Sequence, residues 1–174
     1  DLTAVAVSVT SLDPRTARLL EPRAPTPARR LDAVQKLSEA GIYVHVNIAP
    51  VVPGITDHEI EAIVAAAAER GASSISFIPM RLPHEVAPLF EQWLENHYPD
   101  RKAKVMSIVR QMRGGRRNDP AFHSRMRGQG PWADLIRSRL IIASRKAGLK
   151  KGKLALRTDL FRRPQIRGSQ LELF

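Results

Sequence analysis

The stretch Ile42-Tyr-Val-His-Val-Asn-Ile48, followed by Ala49-Pro-Val-Val-Pro-Gly-Ile55 and then Thr56-Asp-His-Glu59, decides the fold. Seven residues rich in Val and Ile read as a strand, and Gly41 before them stops the preceding helix as a left-handed C′ residue. Pro50 and Pro53 cannot donate to a sheet ladder, so the strand is expected to end at Ile48. Thr56 with Glu59 spells a capping box for an alanine-rich helix ending at Gly71. Strand, stiff loop and helix in that order make one unit of a parallel sheet with helical crossovers.

The same unit lies on either side. Leu2–Val9 reads as a buried strand, and Asp13-Pro14 opens a short helix through Leu20 with an N-cap and a proline at the first helical position. Thr26-Pro27 repeats that logic for a helix to Ala40, with Leu31, Val34 and Leu37 on one face. Ser74–Ile78 reads as the third strand, and Pro79 and Pro83 bracket Met80-Arg81-Leu82. A helix over His84–His97 follows, with Phe90, Trp93 and Leu94 as its core face. Residues 1–100 thus predict an α/β fold with about three parallel strand–helix units. In such folds chemistry sits at the carboxyl ends of the strands.

Charge divides the chain. Residues 1–100 carry 8 Lys and Arg against 13 Asp and Glu, net −5; residues 101–174 carry 20 against 4, net +16. The second part reads as a basic, mainly helical extension: a helix over Lys102–Met112, an irregular stretch, then a helix over Pro131–Ala147. The last has Trp132, Leu135, Ile136, Leu140 and Ala143 on an apolar stripe; residues 148–174 are basic and largely irregular. The stretch between the helices holds Arg113, Arg116, Arg117, Arg125 and Arg127 interleaved with glycines, a pattern that suits phosphate contacts of a nucleic acid. Aromatic residues make up only 5% of the chain, which leaves no base-stacking platform. The alternatives are an arginine-rich solvated surface, or a cover for an acidic region outside this chain.

Other features exclude classes. The sequence has no cysteine, so it holds neither a disulfide nor a cysteine-ligated metal. Neither a membrane span nor a signal-peptide pattern is present, and a cytoplasmic protein is expected. Phosphate-binding Gly-Lys-Ser/Thr loops, two-histidine helix motifs and serine elbows are absent. His45, His58, His84, His97 and His123 are scattered and read as structural or solvated, so no metal ligands are predicted. The chain opens on Asp1, without Met, almost directly into a strand, and reads as a piece of a longer protein.

The strand ends supply the site candidates. Ser8, Thr10 and Ser11 are hydroxyls able to bond a ribose or carboxylate, or to serve as turn residues. Asn47 alternates with apolar neighbours in a buried strand, so its amide needs partners. Ala49 and Pro50 begin a stiff loop suited to a flat heterocycle. Arg81 is the only strong charge near the third strand tip; it suits a carboxylate or phosphate clamp, or an ion pair with Glu21 or Glu85.

The string Val7-Ser-Val-Thr-Ser-Leu-Asp-Pro, then Leu20-Glu-Pro-Arg-Ala, Ala40-Gly-Ile, and Ile48-Ala-Pro-Val-Val-Pro-Gly-Ile-Thr-Asp-His-Glu resembles one branch of the radical S-adenosylmethionine superfamily. Arg81-Leu-Pro, the Phe90-x-x-Trp-Leu segment with His97-Tyr-Pro, Arg125-Met-Arg-Gly-x-Gly and the closing Gln170-Leu-x-Leu-Phe fit the same branch. That branch is related to spore photoproduct lyase and is called DNA repair photolyase-like. The resemblance implies a partial TIM-type barrel of which this chain is the C-terminal half, strands four to six, followed by the extension. It implies S-adenosylmethionine as cofactor, a [4Fe–4S] cluster and a lyase-like radical reaction on DNA. It also implies an electron donor that the residues do not identify. The cluster's Cys-x₃-Cys-x₂-Cys triad is absent, so it is expected in a missing N-terminal half or another chain, and this part alone should be inactive. By position Ser8 falls near the ribose or methionyl group, Asn47, Ala49 and Pro50 near the adenine, and Arg81 near adenine and substrate. The half-barrel's inner face is expected to be largely apolar, made for the absent half. The alternatives are a non-enzymatic nucleic-acid-binding module and an assembly subunit.

Overall fold

The computed structural model describes residues 2–122, 124–149 and 155–162. Strands β1 (Ala4–Ser8), β2 (Tyr43–Val51) and β3 (Ser74–Pro79) form one parallel sheet in the order β1-β2-β3. Six helices accompany them among the described residues: α1 (Pro14–Leu20), α2 (Pro27–Glu39), α3 (Ile60–Glu69), α4 (Val86–His97), α5 (Pro99–Gln111) and α6 (Gly130–Lys146). This is the predicted α/β architecture, an open sheet consistent with part of a barrel. No helix of the described residues is long and apolar enough to cross a membrane. His123 and the closing residues 170–174 lie outside the described residues.

Local sequence accounts for most boundaries. Asp13 accepts from the backbone N–H groups of Arg15 (3.2 Å) and Thr16 (2.9 Å), with Pro14 at the first helical position. Gly41, at φ +73°, donates to Ser38 O (2.9 Å), while Ile42 N donates to Leu37 O (3.0 Å). This Schellman pair ends α2 where the glycine was read as a stop.

Two expectations about β2 and the start of α3 fail. First, β2 does not end at Ile48 but runs through Pro50 to Val51. The ladder to β3 shifts register between Ile48 and Val51, so Pro50 sits where no donor is required. Second, the capping box does not form. Thr56 has helical backbone angles, its Oγ1 accepts from Val52 N (2.9 Å), and a 3₁₀ turn over Asp57–Glu59 precedes α3. Glu59 turns away from its own helix. Its carboxylate accepts from Ser11 Oγ (2.7 Å), Leu12 N (2.6 Å) and Asp13 N (3.3 Å). Charge-assisted bonds to the turn after β1 outweigh a reciprocal bond within one helix start.

The sheet has two unlike faces. On one, Val44, Val46 and Ile48 are buried against Leu31 and Val34 of α2, Ile60, Ile63 and Val64 of α3, and Ile136 and Leu140 of α6. Arg139 of α6 clasps Glu61 of α3 through two bonds of 2.7 and 2.6 Å. Helix α6 therefore shares the core of the sheet. Leu135, expected on its apolar stripe, is 56% exposed, and Ala133 is buried instead. A second core joins Val52, Ile55, Met80 and Leu82 to Phe90 and Leu94 of α4 and Val105, Met106 and Val109 of α5. Trp132 packs against both cores.

The other face overturns the expectation of an apolar interior. Register places Ala4, Ala6 and Ser8 of β1 beside Tyr43, His45 and Asn47 of β2, and His45 and Asn47 beside Ser74 and Ser76 of β3. The face is made of small and polar side chains that hydrogen-bond along it, so it offers little dry surface.

Replacing Glu59 with Ala should destabilise the chain by about 2 kcal/mol, because the Leu12 N–H loses its acceptor and Ser11 Oγ and Asp13 N lose a charged one, keeping only the bonds between residues 11 and 13. Urea unfolding at neutral pH measures it. A loss below about 0.5 kcal/mol, the range of an ordinary surface change, would show that the clasp is incidental.

Candidate functional site

A hydrogen-bonded line runs up the polar face toward the strand tips. Tyr43 Oη donates to Ser74 Oγ (2.8 Å), which lies 2.8 Å from His45 Nδ1; His45 Nε2 lies 2.8 Å from Ser76 Oγ, and Ser76 Oγ donates to Asn47 Oδ1 (3.2 Å). The proton directions follow. Ser76 has one hydroxyl proton and gives it to Asn47, so His45 Nε2 must carry the hydrogen toward Ser76. In the neutral ring Nδ1 then accepts the Ser74 proton. Partial burial favours that neutral form, holding His45 below its ordinary value. The amide of Asn47 is thereby fixed with its oxygen turned to Ser76. Its Nδ2 has no partner among the described residues, so it is a donor held ready for an acceptor atom.

The tip of β1 is tied down differently. Thr10 is 2% exposed, and its hydroxyl meets Glu21 Oε2 (2.8 Å) and Ala49 O (3.1 Å). Arg30 pairs with the same Glu21 oxygen (2.9 Å) and donates to Ser8 O (2.9 Å). Thr10 is thus a buried brace between β1 and β2 whose hydroxyl is committed, not an open ligand contact. Ser8 stays exposed.

Ala49–Pro50 is a cis peptide, and Pro50 forms part of an apolar cleft of about 280 Å³. Its walls are Leu20 and Glu21 at the end of α1, Met80 after β3, and Val86, Leu89, Phe90 and Trp93 on α4. Phe90 and Trp93 stack at 5.5 Å, and the Trp93 indole donates to Leu19 O (3.0 Å). A flat ring bearing donor groups suits such a place, with aromatic and proline surface around it and one carboxylate at the edge. Sequence reasoning read Phe90 and Trp93 as core alone. Their helical spacing does not distinguish a core face from a cleft wall. A larger cleft of about 520 Å³ is lined by Leu2 and residues 156–162, at the amino end of β1 and away from Asn47.

The arginines separate. Arg113 is 4% exposed and donates to Arg125 O (2.7 Å), Met80 O (3.0 Å) and Pro79 O (3.3 Å). It is buried against the tip of β3 and is not the exposed phosphate contact expected of it, because the carbonyls ending β3 need donors. Arg81 makes no ion pair with Glu21 or Glu85; its Nη1 lies 3.3 Å from Met126 Sδ. Arg116, Arg117 and Arg127 are exposed, Arg117 pairing with Glu91 at 3.3 Å, and Arg125 is half-buried over the Phe122 ring at 4.8 Å. The site brings Asn47, Ala49, Pro50 and Arg81 to one end of the sheet and leaves Arg116, Arg117 and Arg127 on the surface of the extension.

A half-buried histidine whose neutral form is favoured makes stability pH-dependent. The folded value of His45 lies below its ordinary 6.5, so the unfolded chain binds the proton first. The contribution is complete above 6.5 and is lost as pH falls through the folded value. His45→Gln should remove this acid-side loss, seen as a smaller drop in Tm between neutral and mildly acidic buffer. An unchanged slope would mean that the line of bonds does not depend on the neutral ring.

Residues 1–67, which hold β1, β2 and their tips, match the family model of the Radical SAM superfamily. An uncharacterized protein of Mycobacterium tuberculosis (strain ATCC 25618 / H37Rv) is 30% identical over 108 residues, 61% of this chain and 32% of that protein. An uncharacterized protein of Mycobacterium bovis shows the same identity and coverage. An uncharacterized protein of Acidianus two-tailed virus is 40% identical over 53 residues, 30% of this chain and 18% of that protein. The chain therefore spans at most about a third of the length of these relatives. No solved structure matches it. At the level of the superfamily, the match assigns residues 1–67 a Radical SAM-type sequence.

Proposed function

We propose that this chain is the adenosyl-binding and substrate-facing part of a radical S-adenosylmethionine enzyme, of the spore photoproduct lyase-related kind, acting on DNA. The reading is carried by the Asn47 amide, whose oxygen is held by Ser76 and whose nitrogen is left to donate. It stands in the segment that resembles the superfamily, three residues before Pro50 of the apolar cleft. Asn47 would bond an acceptor atom of the adenosyl group, Pro50 and Met80 would bear on the flat ring, and Glu21 would accept from an amino or hydroxyl group at the edge. Ser8 and Arg81 would flank the ribose and methionyl ends. The cofactor, when bound, supplies one-electron chemistry at carbon–hydrogen bonds; the residues here bind, orient and shield it.

The [4Fe–4S] cluster does not fit this chain. It needs cysteine thiolates, and the sequence has none. Its ligands would belong to another segment of the longer protein or to another chain, and no step through the cluster is assigned to these residues. Exposed Arg116 and Arg127 on the extension support a DNA-facing surface. They equally suit a module that binds DNA without chemistry.

The longer protein, with its cysteine-bearing segment, should yield 5′-deoxyadenosine from S-adenosylmethionine after anaerobic reconstitution with iron and sulfide and chemical reduction. Asn47→Ala should weaken S-adenosylmethionine binding about tenfold, the worth of one well-placed hydrogen bond. Absence of cleavage with salt-sensitive DNA binding retained would favour the binding module.

A further inference from the structure

The loop between α5 and α6 is fastened at its base to the tip of β3. Gln129 N donates to Met112 O (3.1 Å) and closes the loop. Arg113 donates to the carbonyls of Pro79 and Met80 at the strand end and to that of Arg125 across the loop. Its far part is a single tight turn. Asp119 accepts from Ala121 N (2.9 Å) and Ser124 Oγ, and Arg125 N donates to Ala121 O (2.9 Å). On that turn Phe122 is 73% exposed, the most exposed large apolar side chain among the described residues. A ring held so far out of the core adds little to folding. The Arg125 guanidinium lies 4.8 Å from its centroid, a cation–π contact that steadies it.

The surroundings say what such a ring would meet. Arg116 and Arg127 are exposed on the same loop, and its one acid, Asp119, is committed to the turn. A ring set among cations suits a partner that offers a flat apolar face and negative charge together. An apolar protein surface supplies the first without the second. A paired duplex supplies the charge, but its base faces are covered by stacking. An unpaired nucleotide supplies both, a π-face and a phosphate. A low aromatic content hides this arrangement, because one ring is enough.

We propose that Phe122, backed by Arg125, is a stacking platform for an unpaired base of DNA, with Arg116 and Arg127 on the flanking phosphates. The proposal rests on the DNA-facing part of the functional reading and narrows its substrate to single-stranded or locally unpaired DNA. Because Arg113 fastens the loop to β3, the platform belongs to the same end of the sheet as Asn47 and Arg81.

Titrating the full chain into a short single-stranded oligodeoxynucleotide that carries 2-aminopurine should quench the fluorescent base as it stacks. Phe122→Leu keeps an apolar side chain on an exposed turn, so Tm should hold. It should abolish the quenching and weaken single-strand binding about tenfold, with the salt dependence unchanged. Binding of the matching duplex should not change, and Phe122→Tyr should keep the quenching. Arg127→Gln should instead lower the slope of log affinity against log salt by about 0.7. DNA binding that Phe122→Leu leaves untouched, or weakens equally for single strand and duplex, would overturn the proposal and leave the DNA reading standing. Binding of neither DNA would overturn both.

Discussion

The alternation of β2 is the constraint on which the rest depends. Every second residue, Val44, Val46 and Ile48, is driven into the core beneath α2 and α3, and the residues between them, Tyr43, His45 and Asn47, must then share the other face. A slip of one residue would bury a histidine and an asparagine among valines and expose the valines, so hydrophobic burial sets the register sharply. Because β2 is the central strand, its register also sets those of β1 and β3. The polar line from Tyr43 to Asn47 exists only because the apolar one does.

From that register the site follows in order. Ser74 and Ser76 come level with the gaps beside His45, which makes the histidine a bridge between two hydroxyls instead of a metal ligand or a surface charge. The bridge has a direction, since each hydroxyl has one proton, and it ends by orienting the Asn47 amide. Thr10 and Glu59 perform the corresponding task for the turn after β1, one tying it to β2 and the other to the start of α3. Core, polar face and strand tips are thus one connected construction. The extension completes it by placing Ile136 and Leu140 in the core and Arg113 on the carbonyls that end β3.

Much of this was legible in the sequence. The three parallel strands, the proline-led helix starts and the Gly41 stop all follow from local patterns that tertiary packing did not override. What could not be read was where long polar side chains go. Glu59 has the spacing of a capping residue, yet the turn after β1, nearly fifty residues earlier, outcompetes its own helix. Arg113 reads as one more arginine of a basic loop until the bare carbonyls of the β3 tip are known. Asn47 was legible as a residue needing partners because it interrupts an apolar strand. Its partner Ser76 was not, because parallel register across a crossover helix leaves no local signal. The inner face was misjudged as apolar because absent strands were assumed to meet it through dry packing, whereas its own residues satisfy one another.

The most direct test of the account is an NMR titration of the chain with S-adenosylmethionine, following backbone amides and the Asn47 side-chain NH₂ group. The account predicts that the Asn47 side chain and the amides of Ile48, Ala49 and Met80 shift together, at the carboxyl end of the sheet. Shifts confined to Leu2 and residues 156–162 at the opposite end, or no shift at saturating ligand, would contradict it.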